Sequence, residues 1–305
     1  MTTPPSLLSS PRILITGKNG QVGFELQRSL AVLGEIVAMD REECDLADPD
    51  AIRALVREVR PDIIVNPAAH TAVDKAESES ELAAAINATA PAVLAEEAAK
   101  LGALIVHYST DYVFNGSKQG WYTETDAPDP QSVYGKTKLA GEQAVAAGNP
   151  RHIILRTSWV FGAHGGNFLK TILRLARERD SLRIIADQHG APTSAALLAD
   201  ITAQIVAQYL RSENQASFPF GLYHAVSQGE TTWHGYASHI VEVSRRRGQE
   251  FKVGEIAPIP TSEYPLPAPR PANSRLSADK LQKAFGLVLP SWQTQVEQVL
   301  TLLDQ

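Results

Sequence analysis

The sequence predicts an α/β chain built on a doubly wound parallel sheet, followed by a smaller C-terminal lobe. Three observations predict it. Short apolar runs alternate with helical periods through the first half. That alternation calls for a parallel sheet covered on both faces and linked by right-handed crossovers. A glycine-spaced turn, Gly17-Lys-Asn-Gly20-Gln-Val-Gly23, follows the first apolar run. The length, 305 residues at 44% hydrophobic and 20% charged, suffices to bury a large sheet and a lobe beside it.

The elements follow in order. Arg12–Gly17 reads as a buried strand. Val22, Leu26, Leu30 and Leu33 recur at helical spacing until Gly34 stops them. Glu35–Asp40 is the second strand. Asp48 and Pro49 supply a cap and a first-turn proline for a helix over Ala51–Val59, which ends before Pro61. Asp62–Asn66 is the third strand, and the Ala-rich stretch Glu77–Lys100 a helix with a break expected near Pro91. Leu104–Thr110 and His152–Thr157 are the fourth and fifth strands, flanking a helix that carries Tyr134. Beyond Gly162 the regularity loosens. Helices are expected over Phe168–Arg179, Ala195–Leu210, Ser277–Phe285 and Ser291–Leu303, and short strands over Leu222–Ser227 and Phe251–Ile256. Thr261–Arg275, with prolines at 265, 267, 269 and 271, reads as an extended surface loop.

Bulk properties exclude several classes. A net charge of −6 is not what a nucleic-acid partner requires. No apolar stretch is long enough to span a bilayer. A single cysteine, Cys44, rules out an intrachain disulfide and a thiolate metal cluster, which suits a reducing cytoplasm. Residues 1–11 read as a disordered extension rather than a signal peptide, because no basic residue precedes their short apolar run.

The glycine turn sits between a strand and a helix. Glycines there allow a tight turn and a close approach of backbone to a pyrophosphate, while the helix N-terminus offers unpaired N–H groups. Asp40 ends the second strand, where an acidic residue suits a free ribose 2′-hydroxyl. Its neighbour Arg41 would instead neutralise a 2′-phosphate, so NADPH and NADH both stay open. Asp45 either caps a turn or touches the adenine. Ser109-Thr110-Asp111 falls at the carboxyl end of the fourth strand, where open sheets bind ligands, although Thr110 alone would equally well cap a turn. Tyr134 and Lys138 are four residues apart, hence on one helical face. They are either a solvated pair or a proton-transfer pair, in which the ammonium would lower the phenol's pKa. Trp159 is either core or a ring-stacking wall.

Gly-x-x-Gly-x-x-Gly together with Tyr-x-x-x-Lys resembles the extended short-chain dehydrogenase/reductase superfamily, with its Rossmann-type sheet. Within it, the chain is similar to the dTDP-4-dehydrorhamnose reductase branch. The similarity rests on 17–23, on Ala68–Glu77, Ser109–Phe114, Val133–Glu142, Arg156–Trp159, Asp187–Thr193 and Arg270–Leu276. The resemblance implies a dinucleotide-binding domain over 12–165 and a substrate-binding lobe over 166–305, whose segments have room to interleave with the sheet. It implies that Gly17, Gly20, Gln21, Val22, Gly23, Asp40, Arg41, Asp45, Leu46, Ala69, His70 and Thr71 hold the cofactor, with Tyr134 and Lys138. It places Thr110, Asp111, Tyr134, Lys138 and Trp159 against a sugar nucleotide, with Tyr134, Lys138 and Thr110 catalytic. The implied activity is NAD(P)H-dependent reduction of a 4-keto sugar nucleotide.

Two other functions fit parts of the pattern. A 4-epimerase would keep its cofactor bound, and a non-catalytic NADP-binding regulatory subunit would lack turnover. Some relatives of the branch dimerise around Mg²⁺. Here Glu25 supplies one carboxylate, but Ala196 stands where those relatives carry another, with Asp200 one turn on. The expectation is therefore a monomer or loose homodimer with no metal requirement.

Overall fold

The computed structural model describes residues 10–304. The expected N-terminal extension lies outside them apart from Ser10 and Pro11. The first half runs β1 (Arg12–Thr16), α1 (Gln21–Leu30), β2 (Glu35–Met39), α2 (Pro49–Val59), β3 (Ile63–Asn66), α3 (Val73–Ala76), α4 (Ser80–Ala84), α5 (Ala90–Leu101), β4 (Leu104–Thr110), α6 (Val133–Gly148) and β5 (His152–Thr157). There follow β6 (Val160–Phe161), α7 (Phe168–Glu178), β7 (Ser181–Ile185), β8 (His189–Gly190), β9 (Thr193–Ser194), α8 (Ala195–Arg211) and β10 (Gly221–His224). The chain ends with β11 (Thr231–Thr232), α9 (Trp233–Arg246), β12 (Glu255–Ile259), α10 (Asp279–Phe285) and α11 (Trp292–Leu303).

Six strands form the central sheet in the order β10-β5-β4-β3-β1-β2, every neighbouring pair parallel. Side chains alternate faces along each strand. Ile13, Ile15, Ile63, Val65, Ile153 and Leu155 belong to one core, with Leu26 and Leu30 of α1 and Leu198 and Ile205 of α8. Leu14, Ile64 and Ile154 point the other way, onto Ile52 and Val56 of α2 and Val93 and Leu94 of α5. This two-residue alternation between two covered faces is why the strands read as unbroken apolar runs. A separate core joins α7, α9 and α11 through Leu169, Ile172, Tyr236, Ile240, Val296 and Leu300. Strand order reverses between β1 and β3, so a crevice opens at the carboxyl ends of those strands.

Local chemistry explains the boundaries. Asp48 caps α2 by accepting from the N–H groups of Asp50 and Ala51 at 2.9 and 3.2 Å. Ser132 caps α6 through the Gly135 N–H at 3.1 Å. The break expected near Pro91 lies upstream instead. A widened π turn spans Ala85–Thr89, and Pro91 sits in the first turn of α5, where its missing N–H costs nothing. That turn also frees Asn87, which accepts from the His70 N–H at 2.8 Å and donates to Thr137 Oγ1 at 3.1 Å.

Other expectations shift in the second half. The strand expected over 251–256 is β12, paired in parallel with β7, which has no sequence counterpart above. The strand expected over 222–227 stops at His224, beyond which the parallel pairing to β5 ends. The segment 261–275 is not wholly on the surface. Ala268, Asn273 and Ser274 are buried, and Arg270 pairs with Asp74 at 2.8 Å. Helix α9 was not anticipated. Beyond residue 165, α8 and β10 return to complete the sheet and one of its faces.

Candidate functional site

The crevice is a cleft of about 750 Å³ whose wall includes the glycine loop, the ends of β2, β3 and β4, the start of α6 and the segment after β5. In the loop, Gly17 has φ +62°, and a Cβ on Gly23 would lie 2.0 Å from the Gly17 carbonyl oxygen. Only a chain without side chains at these points leaves such a cradle open to a ligand. Of the sequence-predicted residues, Gly17, Gly20, Gln21, Val22, Gly23, Asp40, Arg41, Asp45, Leu46, Ala69 and Thr71 line the cleft, as do Thr110, Asp111, Tyr134, Lys138 and Trp159. His70 does not. Its ring contacts Glu79 at 2.8 Å, and its backbone is gripped from behind by Asn87.

At the end of β2, the Asp40 carboxylate accepts from Asn19 and from the Glu42 N–H at 2.9 Å. The Arg41 side chain is 80% exposed, with Asp45 3.8 Å away as its ion partner. Asp45 caps a turn through the Ala47 N–H at 2.9 Å and also lines the cleft. A fixed carboxylate and an exposed guanidinium thus stand side by side.

The proton-transfer group forms around α6. Lys138 is 3% exposed and donates to the Tyr108 carbonyl oxygen at 2.6 Å. Burial pushes its ammonium down to about 8, against an opposing pull from Glu142. Burial pushes the Tyr134 phenol up to about 12, partly offset by the Thr110 hydroxyl. The expected acidification of the phenol by Lys138 is therefore not found: desolvation of the phenolate dominates, and the opposing pull comes from Thr110 rather than Lys138. Thr110 caps the turn foreseen for it and also stands at the cleft. It accepts the Tyr112 N–H at 3.2 Å, capping a turn, and it faces the cleft while donating to Asp111 Oδ1 at 3.1 Å. Burial lifts the Asp111 carboxyl from 3.8 to about 6, and its Oδ2 has no partner. One turn beyond Lys138, Glu142 makes a buried bidentate pair with Arg156 of β5 at 2.8 and 2.6 Å.

Trp159 takes a left-handed backbone, φ +48°, and stacks on Trp233 with ring centroids 3.8 Å apart. Trp233 lines the cleft and was missed from sequence, as were Gly165 and Gly166. A signal for it existed. Thr232 is a good N-cap, and Trp233, Tyr236, Ala237, Ile240 and Val241 follow at helical spacing.

A Gly-cradled cleft that also holds a buried Tyr-x-x-x-Lys pair is an arrangement able to take a dinucleotide and pass a proton beside it. The family model described as the RmlD substrate binding domain matches residues 11–305. The chain belongs to this family. It is 52% identical over 293 residues to the dTDP-4-dehydrorhamnose reductase of Salmonella typhimurium, covering 95% of this chain and 97% of that relative. A dTDP-4-dehydrorhamnose reductase of Clostridium acetobutylicum superposes with a TM-score of 0.89 at 37% identity, over 96% of this chain and all of that one. The Bacillus anthracis reductase, solved in complex with NADP, gives 0.88 at 35% identity, over 96% and 99%. The family therefore carries the doubly wound α/β architecture seen here. No helix among the described residues is long and apolar enough to cross a membrane.

Proposed function

We propose that this protein reduces the C4 ketone of dTDP-4-dehydro-L-rhamnose to give dTDP-L-rhamnose, with NADPH or NADH as reductant. The observation that carries this reading is that one cleft joins the glycine cradle to Tyr134, Lys138 and Thr110. The relatives' names and the NADP held by the Bacillus anthracis enzyme support it. Residues 12–165 would hold the dinucleotide, and the lobe beyond would close the sugar side.

Gly17, Gly20, Gln21, Val22 and Gly23 would face the pyrophosphate, Asp40 and Arg41 the adenosine ribose, and Asp45 and Leu46 the adenine. Ala69 and Thr71 would border the remaining length, with His70 supporting them from behind. The bound cofactor would supply the hydride. Tyr134, kept neutral by burial, would donate its proton to the carbonyl oxygen as negative charge builds there. Lys138, anchored on the Tyr108 carbonyl, would offset the phenolate that remains and hold the nicotinamide ribose. Thr110, Asp111 and Trp159 would orient the sugar.

Mg²⁺ does not fit the residues present. Arg28 lies 3.5 Å from both Glu25 and Asp200, and Ser29 donates to Asp200 at 2.8 Å. A guanidinium already stands between the carboxylates of Glu25 and Asp200. This supports an activity with no Mg²⁺ requirement.

The test is incubation with the 4-keto sugar nucleotide and each reduced cofactor. One cofactor oxidised per substrate reduced supports the reading. Interconversion without cofactor consumption would assign an epimerase, and no turnover a regulatory protein.

A further inference from the structure

The aromatic pair at the sugar side of the cleft is built so that neither indole face of Trp159 is free. A Cβ placed on Gly190 would lie 2.7, 2.8 and 3.2 Å from Cε2, Cζ2 and Cδ2 of Trp159. Cε2 and Cδ2 are the ring-fusion atoms, so Gly190 approaches a face and not the rim. Trp233 stacks at 3.8 Å between centroids and 16° between planes, an overlap that leaves no room for Gly190 on the same side. Gly190 and Trp233 therefore cover opposite faces. Trp159 lines the cleft, and with both faces covered the ring edge is what is left to meet it.

The sandwich is held from outside. Trp233 Nε1 donates to Gln188 Oε1 at 3.1 Å, and Gln188 Nε2 donates to Thr261 Oγ1 at 3.1 Å. Asp187 in turn accepts from the Thr261 hydroxyl and N–H. Gly190 pairs with Thr231 across β8 and β11, two residues before Trp233, so one small ladder sets the gap between the two covering groups. The left-handed backbone at Trp159, unfavourable for a residue with a side chain, persists where its surroundings over-determine it.

We propose that Trp233 is a positioning residue for substrate, which clamps Trp159 edge-on so that the indole N–H meets the hydroxyls of the sugar ring. This rests on the reading of the protein as a sugar-nucleotide reductase. Trp159 then acts as a hydrogen-bond donor on a rigid mount and not as a stacking platform. A donor fixed in place rejects a sugar that offers no hydroxyl to it, because the N–H is then left without a partner.

Three variants test it with the 4-keto sugar nucleotide and NADPH. Trp233→Ala is expected to raise KM for the sugar nucleotide about three- to tenfold, leaving the NADPH dissociation constant unchanged. It should also abolish the exciton-coupled circular dichroism of the stacked indoles. Trp233→Phe should restore KM by keeping an aromatic clamp. Trp159→Phe, which keeps a sandwiched ring and deletes the N–H, should raise KM at least as much as Trp233→Ala. A wild-type KM in Trp159→Phe, or an unchanged KM in Trp233→Ala despite loss of the exciton signal, would overturn the proposal. Wild-type protein that binds NADPH and shows the exciton signal without turning over substrate would instead defeat the underlying functional reading.

Discussion

Replacing Asp111 by Asn separates the electrostatic cost of the cleft from its chemistry. Asp111 is 2% exposed, and one of its oxygens has no partner. Burial raises its carboxyl from 3.8 to about 6, although hydrogen bonds from Ser274 and Thr110 pull the other way. Between those two values the folded protein binds a proton that the unfolded chain has released. Stability therefore falls as pH rises through this window, and the penalty is complete above about 6. Two pKa units correspond to about 3 kcal/mol. Asparagine keeps an acceptor for Thr110 and has no charge to desolvate. Its amide N–H groups inherit the unpartnered position, which costs about 1–3 kcal/mol at every pH. The difference between mutant and wild type across pH therefore isolates the charge. Urea midpoints of cofactor-free protein, measured at pH 4 and pH 8, are expected to move in favour of the mutant by up to about 3 kcal/mol from the lower to the higher pH. A pH-independent difference would refute the burial argument.

Turnover that needs the charged form of Lys138 should fall as pH rises through about 8, and Glu142→Gln should move that fall to lower pH by removing the carboxylate that pulls the ammonium's pKa upward; an unmoved profile counts against it. The same change leaves the Arg156 guanidinium buried without its partner, so a stability loss of about 3–5 kcal/mol is expected by denaturant titration. Arg41→Ala should weaken NADPH by about tenfold or more and NADH little if, as proposed, the exposed guanidinium meets the 2′ group of the adenosine ribose; equal changes in the two dissociation constants would contradict this. Gly23→Ala should displace the cradle, lowering both melting temperature and cofactor affinity, since its Cβ would sit 2.0 Å from a carbonyl oxygen; unaltered cofactor binding would show that the loop yields freely.

The sheet was legible because its signals are local. β4 and β5 coincide with their sequence-predicted ranges, and the Asp48 and Ser132 caps sit where the helices begin. Burial on both faces leaves each strand a short apolar run, told from a buried helix by its length, its β-branched residues and the Gly, Pro or Asp that bound it. The second half hides its organisation in pairings set by distance along the chain. β7 has an exposed, intermediate and buried mixture and makes sense only beside β12, seventy residues away. The surface appearance of 261–275 misled for a related reason. Prolines announce an irregular path but not where it runs, and contacts of Arg270 with Asp74 and of Asn273 with Lys118 draw it inward.

At the site, sequence located the groups and misjudged their electrostatics. Spacing brings Tyr134 and Lys138 to one helical face, but spacing carries no information about burial. Lys138 is sealed in the protein and Tyr134 is half-buried at the cleft wall, so desolvation disfavours the charged form of each, the phenol moving up to about 12 and the ammonium down to about 8. A preformed phenolate would have been a base, suited to taking a proton from an alcohol. A neutral phenol beside a cation whose charge persists below about pH 8 is an acid. It can give up its proton only as a neighbouring oxygen becomes negative, and the ammonium then has a charge to balance. In this resting state the pair therefore favours delivery of a proton to a carbonyl oxygen, the direction that reduction requires.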